Sequence, residues 1–270
     1  MGVLFCHFAN NEYLCAKIST GLKRFILYIL LIITATVAYA RQYTVVIDPG
    51  HGGKDPGAVG KISKEKDHNL AVALMVGKMI QDSFPTVRVI YTRKTDVFVE
   101  LDERANIANR AKANLFMSIH TNSVANTAAK GTETFSLGLH RSAENLEVAM
   151  RENSVISMES DADEKYEGFD PKCSESYIMF EFMQDANLYE SIKLAKCLQR
   201  RYKSQGREDR GVFQGGFLVL RETSMPSVLT EIGFISNPEE EAYLCTEEGR
   251  RQIAQSIFEG FKQYHSIKKN

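Results

Sequence analysis

The chain has 270 residues, 44% of them hydrophobic and 25% charged, which suits a single α/β domain. A formal net charge of −1 leaves no electrostatic footprint for nucleic acid, so no nucleic-acid partner is expected. Beyond residue 40 the cysteines are Cys173, Cys197 and Cys245, an odd set, too widely spaced for a zinc knuckle and implying no disulfide framework.

In chain order, Lys23-Arg24 precede the apolar run FILYILLIITATV (25–37) and the small-residue stretch AYA (38–40). That order describes a secretory signal peptide, with cleavage expected after Ala40 and no membrane span in the mature chain. Residues 1–21 lie upstream of the basic pair, do not suit a signal, and are set aside, so 1–40 reads as extension plus signal and 41–270 as the working domain. Tyr43–Asp48 reads as a buried strand. Asn69–Phe84 places Leu70, Ala73, Leu74, Val76, Met79 and Ile80 at helical spacing and stops before Pro85. Thr86–Thr92 is strand-like, Leu101–Ala113 helical, and Leu115–His120 and Thr132–Leu137 are strands. The alternation predicts an α/β fold, a mostly parallel sheet with helices on both faces. From about 140 to 185 the pattern breaks. An acidic stretch (159–168), Pro171 and the apolar YIMFEFM (177–183) read as an insertion packed on the domain. Helical spacing resumes over Asn187–Ser204. FLVL (217–220) and SVLTEI (227–232) read as strands, and Pro238–Cys245 and Glu247–Tyr264 as closing helices.

Three strands run into polar residues that a buried sheet does not need. The first leads, through VVIDPGHGGKDPGAVG (45–60), into His51; LFMSIH ends on His120; SVLTEI carries Glu231. In an open sheet, ligands bind beyond the carboxyl ends of the strands, where all three meet. Glu65 lies in the loop after the first strand. Two imidazoles and one carboxylate make an open catalytic site for one Zn²⁺, with a tetrahedral position left for water. A further carboxylate must accept the water proton. Glu65 is assigned as ligand and Glu231 as general base. The glycines around His51 permit a sharp turn and close approach, and Asp48 is expected to orient a ligand histidine. His68, three residues after Glu65, is the rival ligand, but like His140 it lacks a strand-end position. GxxxxGK, HExxH and GxSxG are all missing, which leaves phosphate-loop, zincin and nucleophile-elbow chemistry unsupported.

The segments VVIDPGHGGKDPGAVG, KEKDHNLAVAL, YTRKTDVFVELDERANIANRAKANLFMSIHTNS, GTETFSL and MPSVLTEIGFISNPEE follow one another in order. Over residues 43–137 and 211–264 the chain resembles the zinc-dependent N-acetylmuramoyl-L-alanine amidases of the type-3 family. The resemblance implies a twisted, mainly parallel six-stranded sheet with flanking helices. It implies hydrolysis of the amide between muramic acid and L-alanine in peptidoglycan. His51, Glu65 and His120 match the family's zinc ligands, and Glu231 its catalytic glutamate. Arg93, Arg104 and Asn109 match recurrent positions and are read as structural anchors. The export signal fits a peptidoglycan substrate and places the chain in the periplasm or cell envelope. Some relatives carry an inserted helix that covers the zinc until an activator protein displaces it. The insertion is therefore read as such a lid, one of whose carboxylates would fill the open metal position, or as an extension of the substrate groove. Rival functions are a zinc peptidase acting on cell-wall peptides and a silent envelope-binding module.

Overall fold

β1 (Thr44–Pro49) is buried at every residue, as a strand covered on both faces must be. It lies in a six-stranded sheet with β2 (Arg88–Tyr91), β3 (Leu115–Asn122), β4 (Thr132–Leu137), β5 (Asp209–Gly215) and β6 (Ser227–Phe234), in the order β2-β1-β3-β6-β4-β5. All neighbours are parallel except β4 and β6. The computed structural model describes residues 42–182 and 185–269, together with Leu22, Arg24, Phe25 and Tyr28. The expected signal peptide and its cleavage point fall almost wholly outside the described residues. No helix among those described is long and apolar enough to cross a membrane.

Strand alternation splits the interior into two cores. Val45, Ile47, Leu115, Met117 and Ile119 face one side, where α1 (Glu65–Ser83), α4 (Leu188–Ser204) and α6 (Glu247–Lys269) cover them with Val72, Val76, Ile80, Leu194, Leu198, Ile257 and Phe261. Val46, Phe116 and Phe135 face the other side, against α2 (Leu101–Arg110) and the insertion. Helix α1 starts with Glu65 and Asp67 in its first turn, where carboxylates suit the positive end of the helix dipole. It ends before Pro85, which disfavours helical backbone at the preceding residue. Helix α5 (Pro238–Cys245) is capped by Asn237, which accepts from the Glu239 and Glu240 amides, with proline in the first turn.

The insertion is helical. Helix α3 (Ala143–Asn153) starts at Ser142, whose hydroxyl accepts from the Asn145 amide. Short helical turns follow at Ser154–Met158, Ala162–Lys165, Ser174–Ile178 and Met179–Phe182. Val148, Ile156, Tyr166, Phe169, Tyr177 and Phe180 pack into the second core.

Two sequence readings need correction. FLVL is no strand: Leu218–Arg221 form a short helix, buried in the second core. A run of four apolar residues carries no periodicity that tells a strand from a turn of helix. The sixth strand is instead Asp209–Gly215, an edge strand with a charged start and two glycines, which hid it.

Arg104 is among the largest fully buried side chains of the described residues. From α2 it donates to Asp48 Oδ1 at 2.7 Å and to the carbonyls of Val99, Pro49 and His51. Arg104→Ala would leave the buried Asp48 carboxylate without its cation, and denaturant unfolding is expected to show a loss of about 3–5 kcal/mol.

Candidate metal centre

The chain after β1 must turn within a few residues. His51 itself sits at φ 60°, in the left-handed region that a non-glycine residue rarely adopts. Arg93 pins the turn through the carbonyls of Pro49 and Gly50 and also holds that of Lys66. Arg104 adds a bond to His51 O at 2.9 Å. Both guanidiniums thus act as anchors of the loop that presents the imidazole. Two glycines make room: a Cβ on Gly50 would lie 2.3 Å from His120 Nε2, and one on Gly57 2.6 Å from His51 Cδ2 and 2.7 Å from Glu65 Oε2.

Asp48 does not orient a histidine through a hydrogen bond. Its carboxylate takes bonds from Thr92, Arg104 and Ser118 and ties three elements together beneath the turn. The orienting carboxylate is Asp55, 2.7 Å from His51 Nδ1. That contact leaves His51 Nε2 facing inward.

Glu65 is not in a loop but is the first residue of α1. Its oxygens accept from the amides of Ala58 and Thr121 at 2.8 Å and from Asn69 Nδ2 at 3.1 Å. The Ala58 contact comes from a hairpin whose turn is held by Glu241. That buried carboxylate accepts from the Lys61, Ile62 and Ser63 amides and the Ser63 hydroxyl. His120 lies in β3 directly across from Glu231 in β6.

A fourth group joins them. Glu152, near the end of α3, places Oε2 3.0 Å from His51 Nε2 and 2.8 Å from His120 Nδ1. Glu65 Oε1 is 3.2 Å from the same two nitrogens. One donor atom from each of His51, Glu65, His120 and Glu152 lies within 4.8 Å of the others, and all four residues are buried. His68 is outside this set: its Nε2 meets the Ser63 hydroxyl at 2.9 Å.

Burial alone would lower the histidine pKa values, but the carboxylates outweigh it. His51 is held well above its ordinary value by Glu65, Asp55 and Glu152, and His120 is pushed up to about 9 by Glu152 and Glu65. Burial opposes ionisation of Glu65 and Glu152, yet the facing imidazoles, with Arg151 beside Glu152, hold both below the usual range. Two buried carboxylates draw positive charge to their centre, supplied either by protons on the imidazoles or, in place of those protons, by a metal cation. A divalent cation of borderline character suits this nitrogen and oxygen donor set.

Glu231 is fully buried, and neither of its oxygens has a hydrogen-bond partner among the described residues. Burial and the nearby Glu152 carboxylate raise its pKa well above normal, against the pull of Arg151. Arg151 Nη2 lies 3.5 Å from Glu231 and 2.7 Å from Glu152, and Nη1 donates to Ser123 O. The mouth of the centre is a cavity of about 280 Å³, bordered by His51, Pro56, Val59, Arg151 and Met158.

Sequence reasoning placed His51, Glu65, His120 and Glu231 in one region, and the structure brings them together. It did not single out Glu152, Arg151 or Asp55. Asp55 had a legible signal, since it follows His51 by four residues in a glycine-rich turn. Glu152 had none, because nothing local distinguishes it from other glutamates of the insertion. The acidic stretch of the insertion lies elsewhere: Glu159 accepts from the Leu101 amide and from the Tyr166 hydroxyl.

Residues 45–263 match the family model for N-acetylmuramoyl-L-alanine amidase. Among curated proteins, the chain is 35% identical over 224 residues to N-acetylmuramoyl-L-alanine amidase AmiA of Escherichia coli, covering 82% of this chain and 75% of that one. It is 32% identical over 230 residues to AmiC of Escherichia coli, covering 83% of this chain but only 53% of the relative, so the chain spans about half of that protein's length. Among solved structures, the catalytic domain of CwlV, an N-acetylmuramoyl-L-alanine amidase from Bacillus (Paenibacillus) polymyxa var. colistinus, superposes with a TM-score of 0.61 at 35% identity, covering 83% of this chain and 99% of that domain. With a match this long, and a His/Glu cluster of the kind a zinc amidase needs, the chain belongs to the N-acetylmuramoyl-L-alanine amidase family, whose members hydrolyse the amide between N-acetylmuramic acid and L-alanine in peptidoglycan.

Proposed function

We propose that residues 41–270 form a zinc amidase domain, exported to the periplasm or cell envelope, that cuts the lactyl–alanine amide of peptidoglycan with His51, Glu65 and His120 as ligands of one Zn²⁺ and Glu231 as general base. The observation that carries this reading is the approach of those three donors to one point beside a buried carboxylate that makes no hydrogen bond among the described residues. A zinc ion held there would act as a Lewis acid and make hydroxide available near neutral pH. Asp55 fixes the His51 ring, and Ala58, Asn69 and Thr121 fix the Glu65 carboxylate, so the donor set is preorganised. Glu231, free of hydrogen bonds, takes the proton of the attacking water at a carboxylate oxygen and returns it to the departing alanine nitrogen.

A mass-spectrometric digest of purified sacculi tests the reading. Free glycan strands with intact stem peptides are expected, and a chelator should abolish them. Cleavage between amino acids would make the chain a zinc peptidase. Zinc without turnover would make it an envelope-binding module. His51→Ala is expected to purify with less than about a tenth of the wild-type zinc by elemental analysis, since loss of even a group that only orients a ligand costs about 10- to 100-fold in metal affinity.

Glu152 favours a second reading, concerning control. Its carboxylate faces both assigned imidazole ligands, and on this reading it takes the place of a water or substrate oxygen, which suits a lid better than a groove extension. On this reading the insertion keeps the domain closed until an activator protein binds it and draws α3 away. A folded variant lacking residues 141–183 should then digest sacculi faster than the full chain, and no gain in rate would count against the lid.

A further inference from the structure

We propose that Arg210 is a receptor for a free carboxylate on the stem peptide of the substrate, and that Glu144 of the insertion fills it in the closed state. The inference rests on the amidase reading, and its closed state on the lid reading, and it identifies a specificity-determining group for the same reaction.

The backbone is built to aim this side chain. In the β4–β5 ladder Thr132 faces Asp209 and Glu133 faces Gly211, so Arg210 is the extra residue of a bulge. Gly211 takes φ 121°, a conformation that side chains disfavour. Bulges are uncommon between parallel strands, and near active sites they re-aim a side chain. The guanidinium is then fixed on two sides. Its Nε is paired with the buried Glu133, and its plane lies over the Phe234 ring, 5.0 Å from the centroid. The free edge, at Nη2, meets Glu144 Oε1 at 2.6 Å. A planar cation held at the back and open at the front is suited to a carboxylate.

Glu144 is a replaceable occupant. Its side chain is 56% exposed, against 4% for Glu133. The two carboxylates on Arg210 therefore differ in kind: one belongs to the sheet, the other comes from the first turn of α3. A cavity of about 400 Å³ opens beside the pair, lined by Asn126, Lys130, Glu144, Glu147, Glu208 and Arg210. When α3 moves away, Glu144 and Glu147 go with it. Arg210, Lys130 and Asn126 then stand against Glu208 alone on the cavity wall.

The location suits a peptide that starts at the scissile amide. Glu133 pairs across the sheet with Glu231, and β5 is the next strand beyond. Two strand spacings are about 10 Å, the reach of about three residues of extended peptide. An acidic residue second or third along the stem would bring its free carboxylate to Arg210.

The test is calorimetric titration of the zinc-loaded chain with two probes: the tripeptide L-Ala-γ-D-Glu-L-Lys, whose second residue keeps a free α-carboxylate, and the same tripeptide with a carboxamide there. E144Q should bind the carboxylate peptide about threefold more tightly than wild type, since a half-exposed ion pair is a weak competitor. E144Q should also prefer it about tenfold over the carboxamide, the scale of a charged hydrogen bond. Adding Arg210→Gln should erase the preference, and Arg210→Lys should restore part of it. A merely structural Arg210 would change both peptides alike. Equal binding of the two peptides by E144Q, or a preference that survives Arg210→Gln, overturns the proposal. These readouts do not depend on hydrolysis, so a chain that selects the carboxylate but fails to cleave sacculi would refute only the amidase reading.

Discussion

Glu231→Gln is expected to retain zinc and fold while losing at least about two orders of magnitude in the rate of sacculus digestion. The substitution keeps the shape of the side chain and removes its ability to take a proton. Folding should tolerate it, because the native carboxylate makes no hydrogen bond that an amide would break. It also sheds a group that burial and Glu152 already disfavour in its charged form. The three assigned donors are untouched, so elemental analysis should return wild-type zinc. Near-normal turnover in the Gln variant would remove Glu231 from the reaction. Loss of zinc together with activity would recast it as part of the donor set.

Glu152→Gln should change the rate in the opposite direction. The Glu152 carboxylate faces both imidazoles and is paired by Arg151, so most of what it contributes is charge. Hydrogen bonds to charged groups contribute about 1.5–3 kcal/mol. Weakening one by that amount shifts a closed–open equilibrium by about 10- to 100-fold. Digestion of sacculi without an activator should therefore rise by at least about tenfold, with zinc content unchanged. A fall in both zinc and rate would identify Glu152 as a permanent fourth ligand and end the lid reading.

The parts of this molecule that could be read in advance share a physical origin. β1, β3 and β6 are buried on both faces, and continuous apolar runs announce such strands. His51, His120 and Glu231 stood out because polar groups at the ends of those runs have no packing reason to be there. β5 was illegible because an edge strand need not be apolar, and its bulge interrupts any alternation. Leu218–Arg221 was misread because its apolar residues answer to tertiary burial, not to period. Glu152 joins the centre only through the path of the insertion. Its importance is a property of long-range packing, on which local pattern is silent. Asp48 shows the same limit at short range: the carboxylate beside the turn serves Thr92, Arg104 and Ser118, while the histidine is oriented by Asp55, seven residues on.

Helix α2 has no side-chain cap of its own at Glu100, and the insertion supplies one. Glu159 accepts from the Leu101 amide, and the Tyr166 hydroxyl accepts from the Asp102 amide. If this stretch of the insertion lifts off, those two N–H groups lose their acceptors and meet solvent. Their deuterium uptake would then act as a built-in gauge of whether the insertion is seated, legible with no substrate present. Because the same helix carries Arg104, which grips the His51 carbonyl, loosening at its first turn would be felt at the imidazole as well.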